Sequence, residues 1–470
     1  MANAVMSRPL SFADNALHEL KKRPVSEVTT EELSRFFAKG ETPKQDWRIG
    51  LEMEVFVHHK RTRAPASFEN LKGLLKTLID TTPIDWNKDV DPNGELVGLS
   101  CNGQVISLEP GGQFEFATRP YGSTVELREE LFQFVETLRS ICEDENLQLL
   151  AIGQQPEATV ETIPRMPKNR YDIMRSYLPQ YGSLALNMMH LTASMQCAVD
   201  FSDEANMIEK IRTAAKVSPF LTALTAASPF SNGKPNGYKS FRYEIWRKTD
   251  NVRCGLWPEM LDQEGLGYSR YVEKALNTPA MIFLRNGRFY QAERKPFREY
   301  ARIGFDDTPV TVDDFLLHLT SLFPEVRPKT YVEMRGADCL PPAETLAIAA
   351  FWRGLLDDSD ACREALELLK TIDFEELVEL QAKVAKNGLD AESSIGKAAD
   401  VIKKLVAVAM SRLQRDEPDG LVDMMPLVER SERGRSLADD MLEIAAKTSV
   451  ADALRLGYID NALPTKEPSK

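Results

Sequence analysis

Around residues 47–57 apolar and polar positions alternate. Leu51, Met53 and Val55 project one way while Glu52 and Glu54 project the other, as residues two apart do on a β-strand. The same period recurs along the chain. QVISLE (104–109) is broken by Pro110-Gly111-Gly112 and resumes as QFEFA (113–117), with Glu109 and Glu115 flanking the break. In TASMQCAVDF (192–201) Thr192, Ser194, Gln196, Ala198 and Asp200 share the polar side. In TYVEMR (330–335) Glu333 and Arg335 oppose Val332 and Met334. MIFLRNGRFY (281–290) reads as a hairpin with a type I′ turn at Asn286-Gly287.

Helical period lies between these strands. Thr29 and Glu32 have capping-box spacing before Phe36 and Phe37, and Ser67 precedes a stripe of Leu71, Leu74, Leu75 and Leu78. Asp91-Pro92-Asn93-Gly94 is a turn, and Ser123 with Glu126 starts another helix. A helix is expected over about 203–227, followed by the breaker-rich loop 228–242. Beyond residue 343 strand signals nearly vanish. Strands, hairpins and separate helices predict an α+β fold with an antiparallel or mixed sheet. The expected division is a peripheral helical segment (1–45), a catalytic sheet domain (46–342) and a helical C-terminal region (343–470) ending in a frayed tail.

The 470 residues carry a net charge of −13. That balance, and the absence of a Lys/Arg block, argues against broad nucleic-acid binding. The longest apolar runs are too short to span a bilayer, and the N-terminus has no signal-peptide pattern, so a cytoplasmic protein is expected. Six scattered cysteines have no metal or redox spacing and read as reduced structural thiols. His58 and His59 are adjacent and would point to opposite faces.

An acidic sheet face backed by an apolar one is costly unless cations neutralise it. A divalent metal that also holds phosphates is the simplest answer. A solvent-facing sheet side is the alternative, and spacing alone does not decide between them. Pro110-Gly111-Gly112 reads equally as a plain bulge or as a close approach to a ligand. Lys234 and Gly237 sit in a flexible loop that could cover phosphates or simply be exposed. Arg242, alternating with apolar residues in FRYEIW, could clamp a carboxylate or phosphate. Arg170 follows two prolines in a segment expected to be irregular, and on composition alone reads as an exposed arginine. Trp246, Trp257 and Trp352 are expected in the core.

GLEMEVF, SLEPGGQFE, MPKNRYDIMRSYLP, SPFSNGKPNGYKSFRYEIW and FPEVRPKTYVEMRGAD, in this order, resemble the plant-type glutamate–cysteine ligases, a group also found in proteobacteria. The resemblance spans roughly 40–360. It implies ATP-dependent joining of the γ-carboxylate of L-glutamate to the amine of L-cysteine through a γ-glutamyl phosphate, the first step of glutathione biosynthesis. It implies a curved antiparallel sheet like the catalytic saddle of glutamine synthetase, with helices outside. It places Mg²⁺ on Glu52, Glu54, Glu109, Glu115 and Glu333, joined by Gln196. It assigns Arg335 and Arg242 to catalysis, Arg170 and Arg242 to substrate, and Lys234, Gly237 and Arg335 to ATP. Met281 stands where plant relatives carry an aromatic residue near the cysteine pocket. The segment 285–314 lacks the cysteines that plant members use for redox control. The expected partners are the two amino acids alone, without nucleic acid or membrane, in a monomer or homodimer. A sister ligase with another acceptor amine and a non-catalytic nucleotide-binding relative are the competing readings.

Overall fold

The computed structural model describes residues 19–459. Nine strands form one sheet: β1 (Ile49–His59), β2 (Asn87–Val90), β3 (Leu96–Cys101), β4 (Gln104–Leu108), β5 (Phe114–Ala117), β6 (Leu147–Leu150), β7 (Met195–Val199), β8 (Val326–Pro328) and β9 (Val332–Met334). Their order is β8-β9-β7-β1-β5-β4-β3-β2, with β6 beside the far end of β1. Every pairing in this sheet is antiparallel. The sheet is open, since β8 and β2 are its edges.

The period-2 pattern fixes which face is buried under helices. Ile49, Leu51, Met53 and Val55 are at most 5% exposed, and each such side chain contributes about 1.5–3 kcal/mol by leaving water. The helices that concern the site are α1 (Thr30–Ala38), α2 (Phe68–Thr81), α3 (Thr124–Asp144), α4 (Asn169–Tyr177), α5 (Glu204–Leu224), α6 (Phe241–Arg247), α7 (Pro342–Leu356) and α8 (Phe374–Asn387). α7 packs on β1 and β7, α3 on β1 and β6, and α5 behind β8 and β9. The expected caps form: Thr29 and Glu32 make a capping box, Ser67 makes one with Asn70, and Ser123 accepts from the Glu126 N–H. One continuous core runs from Val25 to Ile459. The C-terminal region is helical apart from a short hairpin, Glu392–Ser393 with Gly396–Lys397.

Some elements differ from their sequence pattern. FRYEIW is helix, not strand, because Ser240 caps it by accepting from the Tyr243 N–H. MPKNRYDIM is not irregular, since α4 begins one residue before Arg170. β9 ends at Met334, so Arg335 stands just beyond the strand. The hairpin at 281–290 forms with Asn286 at φ 50° and Gly287 at φ 75°, as a type I′ turn requires. Residues 1–18 of the expected N-terminal segment, and the tail from 460, lie outside the described residues.

Candidate active site

Antiparallel register brings the spaced acids of the sequence together. Glu54 lies opposite Glu115, which lies opposite Ser107. Glu52 lies opposite Gln196 on one side and Ala117 on the other. Glu333 lies opposite Ala198 and Arg327. Directly opposed residues share a face, so these rows form the surface away from α2, α3, α5 and α7. A cavity of about 310 Å³ opens on it, lined by Glu52, Glu54, Glu109, Glu115, Gln196, Arg170, Arg327 and Arg335 among others.

The acids are held by neighbours. Ser107 Oγ donates to Glu109 at 3.0 Å and to Glu115 at 2.9 Å. The Tyr171 hydroxyl donates to Glu109 at 3.3 Å. Glu54 accepts from the Ser194 N–H at 2.5 Å and from Gln196 Nε2 at 3.2 Å. Arg335 donates to Gln196 Oε1 and, at 2.9 Å, to Glu333.

The glycine break is structural. A Cβ at Gly111 would sit 2.0 Å from the His190 carbonyl oxygen, and Gly112 has φ +80°. The turn closes with the Gly112 N–H on the Glu109 carbonyl at 2.8 Å. The glycines thus let the chain reverse against its own backbone and aim Glu109 at the cavity.

Burial and mutual repulsion raise the proton affinity of three of these acids. Burial, then Glu109, pushes Glu54 up to about 7. Burial, then Glu109, Glu52 and Glu54, raises Glu115 well above the ordinary carboxylate range. Burial and Glu333 raise Glu52. Glu333 behaves oppositely. Burial works to raise it, yet Arg327, Lys329 and Arg335 together hold it well below the usual range. It accepts from Arg327 and Lys329 at 2.6 Å each.

Other expected residues fall off the cavity wall. Glu333 is 1% exposed and sits among three cations rather than facing the cavity. Arg242 is buried, and its guanidinium donates to the Arg335 carbonyl at 2.8 Å and the Gly336 carbonyl at 3.0 Å. Lys234 and Gly237 are exposed on and beside a separate two-stranded hairpin (Phe230–Ser231, Lys234–Pro235). Met281 is wholly buried in the core, one residue before the hairpin strand begins. Trp246, expected in the core with Trp257 and Trp352, instead lines the cavity, with Arg335 5.9 Å from its ring centroid.

Sequence reasoning missed Arg327 and Lys329. Their signal was present in VRPK, where they alternate just before the return strand. It also missed Ser107, Ser194 and Tyr171, which are defined by cross-strand and helix contacts rather than by spacing. Met174, Met188, Met189 and Phe289 supply an apolar lining.

Whether a metal fits is decided by the donors. They are oxygens on a face whose charge raises proton affinity, which suits a hard divalent cation such as Mg²⁺. Among the described residues no group of three or more His, Cys, Asp or Glu forms a metal cage by itself. Mg²⁺ is ordinarily held by one or two carboxylates together with water and substrate phosphates.

A family model described as glutamate–cysteine ligase family 2 matches residues 48–457. The chain belongs to this family. It is 37% identical over 391 residues to chloroplastic glutamate–cysteine ligase B of Oryza sativa subsp. japonica, covering 83% of this chain and 78% of that protein. Against the chloroplastic glutamate–cysteine ligase of Brassica juncea it is 36% identical over 420 residues, 89% of this chain and 81% of the relative. The fold is shared with a solved glutamate–cysteine ligase of Francisella tularensis in complex with AMP, at TM-score 0.55 and 13% identity, covering 89% of this chain and 88% of the other. Within glutamate–cysteine ligase family 2, then, this chain carries four clustered glutamates and three arginines on one cavity.

Proposed function

We propose that the protein is an ATP-dependent ligase that joins the γ-carboxylate of L-glutamate to the amine of L-cysteine, the first step of glutathione biosynthesis. The observation that carries this reading is the convergence of Glu52, Glu54, Glu109 and Glu115 with Arg170, Arg327 and Arg335 on one cavity. Two anions must meet when a carboxylate attacks the γ-phosphorus of ATP. Catalysis of that step is largely positioning and charge compensation.

Each group has a role in this reading. Glu52, Glu54, Glu109 and Glu115, with Gln196 beside them, would hold Mg²⁺ one or two carboxylates to an ion, with water and substrate phosphates completing each. When bound, the ion neutralises phosphate charge and orients the phosphoryl group for in-line transfer. Arg335 faces the transferring phosphoryl group and stabilises charge as it moves to the leaving oxygen. Arg170 reads a substrate carboxylate. Arg242 supports the backbone of 335–336 instead of touching substrate. Lys234 and Gly237 are left to cover a nucleotide from outside the cavity. The cysteine amine then displaces phosphate from γ-glutamyl phosphate. The C–N bond forms as the C–O bond to phosphate breaks, and the amine proton leaves with phosphate. Met174, Met188, Met189 and Phe289 offer soft apolar contacts to a thiol side chain.

Cytoplasmic residence belongs to the same reading. All six cysteines are free thiols, as a reducing compartment leaves them. Among the described residues no helix is long and apolar enough to cross a membrane.

Phosphate release with glutamate, cysteine and Mg²⁺-ATP, omitting each in turn, tests the proposal. Full release should need all of them. Equal rates with ethylamine or 2-aminobutyrate in place of cysteine would transfer the protein to a sister ligase. No release under any condition would leave a nucleotide-binding relative.

A further inference from the structure

The C-terminal helices contribute no side chain to the cavity wall, yet one of them reaches its support. Gln381, in the middle of α8, donates through Nε2 to Glu325 Oε2 at 2.8 Å and to the Tyr243 hydroxyl at 2.9 Å. The Tyr243 hydroxyl donates to Glu325 Oε1 at 2.8 Å. All three residues are at least nine-tenths buried. They come from α8, α6 and the residue just before β8, so the triangle pins three elements to one another.

Glu325 in turn holds the segment after β9. Its backbone carbonyl accepts from the Arg335 N–H at 3.0 Å. Its carboxylate lies so close to Gly336 that a Cβ there would meet Glu325 Oε1 at 2.7 Å. Arg242 also donates to the carbonyls of Arg335 and Gly336, and Thr222 Oγ1 donates to the Gly336 carbonyl at 3.2 Å. The backbone at 335–336 is therefore held by three residues, just where β9 has ended and ladder bonds no longer hold it. Tyr243 and Trp246 lie one turn apart on α6, and Trp246 faces the Arg335 guanidinium.

Glu325 has no salt-bridging cation among the described residues. Its nearest positive influence is Arg242, and burial pushes its carboxyl up to about 7. A buried carboxyl without a paired cation is costly. Tyr243 and Gln381 supply the two donors that make it tolerable, one per oxygen.

Resting on the function proposed above, we propose that Glu325, gripped by Tyr243 and by Gln381 of α8, is the positioning residue that fixes Arg335 on the cavity wall. The C-terminal helical region thereby governs a phosphoryl-transfer step at a site it does not touch. A displacement of about 1 Å in a reacting group can cost around 100-fold in rate. Loosening this clamp should thus act on turnover and leave substrate affinity nearly unchanged.

The test uses the full chain with Mg²⁺-ATP, glutamate and cysteine. Gln381→Leu and Tyr243→Phe each remove one donor to Glu325. Glu325→Gln leaves one acceptor where two stood, so it can serve the Gln381 amide or the Tyr243 hydroxyl but not both. The exchange variant Glu325→Gln with Gln381→Glu restores one donor facing one acceptor. The single variants should lower kcat about tenfold or more, with KM for glutamate, cysteine and ATP each within about threefold of wild type. The exchange variant should recover kcat to within about threefold of wild type. Tyr243→Phe, which keeps the ring and removes only the hydroxyl, guards against a global folding loss in the Gln381 variant. Wild-type kcat in folded Gln381→Leu and Tyr243→Phe would overturn the inference, as would an exchange variant no better than the singles. An unmodified protein that never releases phosphate would instead overturn the ligase reading.

Discussion

Replacing Glu54 with Gln should make the ligand-free protein more stable while stopping turnover. Glu54 is one of four glutamates on the cavity, and its carboxyl is pushed up to about 7 by burial and then by Glu109. A carboxyl raised above its unfolded value adds stability that is complete below about 4.5 and is lost as pH rises through about 7. Each tenfold gain in proton affinity corresponds to about 1.36 kcal/mol, so ionising Glu54 in the fold at pH 8 costs about 3 kcal/mol at most. Solvent in the cavity screens part of this, and the amide forfeits about 1 kcal/mol of hydrogen bonding to Ser194 and Gln196. The net gain should be about 1–2 kcal/mol at pH 8 and near zero or slightly negative at pH 5. For a chain of this length that is roughly 1 °C in Tm per kcal/mol. Thermal unfolding of both proteins from pH 5 to pH 8, without nucleotide or metal, measures it, with phosphate release run in parallel. A stability difference that does not change with pH would refute the electrostatic argument, and normal turnover would remove Glu54 from the machinery.

Gly111→Ala places a methyl group 2.0 Å from the His190 carbonyl oxygen; it should cost about 1–3 kcal/mol of stability and, by moving Glu109, lower kcat, read by denaturation and by phosphate release. His58 is buried, and burial followed by Arg63 lowers its pKa to about 3, so its contribution is complete above about 6.5 and is lost as pH falls toward 3. At pH 5 that is about 2 kcal/mol; the wild-type advantage over His58→Gln in chemical denaturation should therefore shrink between pH 7 and pH 5, and a constant difference would contradict it.

The acidic face was legible because a strand's period is short and rigid. Glu52 and Glu54 had to share a side once the strand was recognised, and the apolar alternates Leu51, Met53 and Val55 named the side facing the helices. Glu109 and Glu115 were legible through the Gly-Gly break between them. What the spacing did not contain was neutralisation. Glu333 has the same strand signature as Glu52, yet β8 folds back and sets Arg327 and Lys329 on it, so its charge is already spent. Arg242 alternated with apolar residues well enough to mimic a strand. The Ser240 cap and the partners on Arg335 and Gly336 are long-range facts that no local pattern carries. Gln381 lies in a helix whose own periodicity is ordinary, and its importance exists only where α8 meets Tyr243 and Glu325.

The charge balance of the cavity constrains how a nucleotide can enter. Six acids line it, Glu52, Glu54, Asp89, Asp91, Glu109 and Glu115, against four bases, Lys168, Arg170, Arg327 and Arg335. Fully ionised, the wall is net −2, and two of the bases are already engaged with Glu333. A triphosphate brings further negative charge to this wall. One unit pair about 6 Å apart at an effective dielectric near 20 repels by about 3 kcal/mol, which is about 100-fold in affinity. At pH 8, where Glu54 is ionised, metal-free ATP should therefore bind about 100-fold more weakly than Mg²⁺-ATP. The deficit should shrink in Glu54→Gln, which removes one repelling charge, even though that variant does not turn over. Calorimetric titration of ATP into both proteins, with Mg²⁺ and with a chelator, separates the terms. Equal affinity with and without metal would mean that the acidic face does not meet the phosphates, and the placement of ATP in this cavity would fall with it.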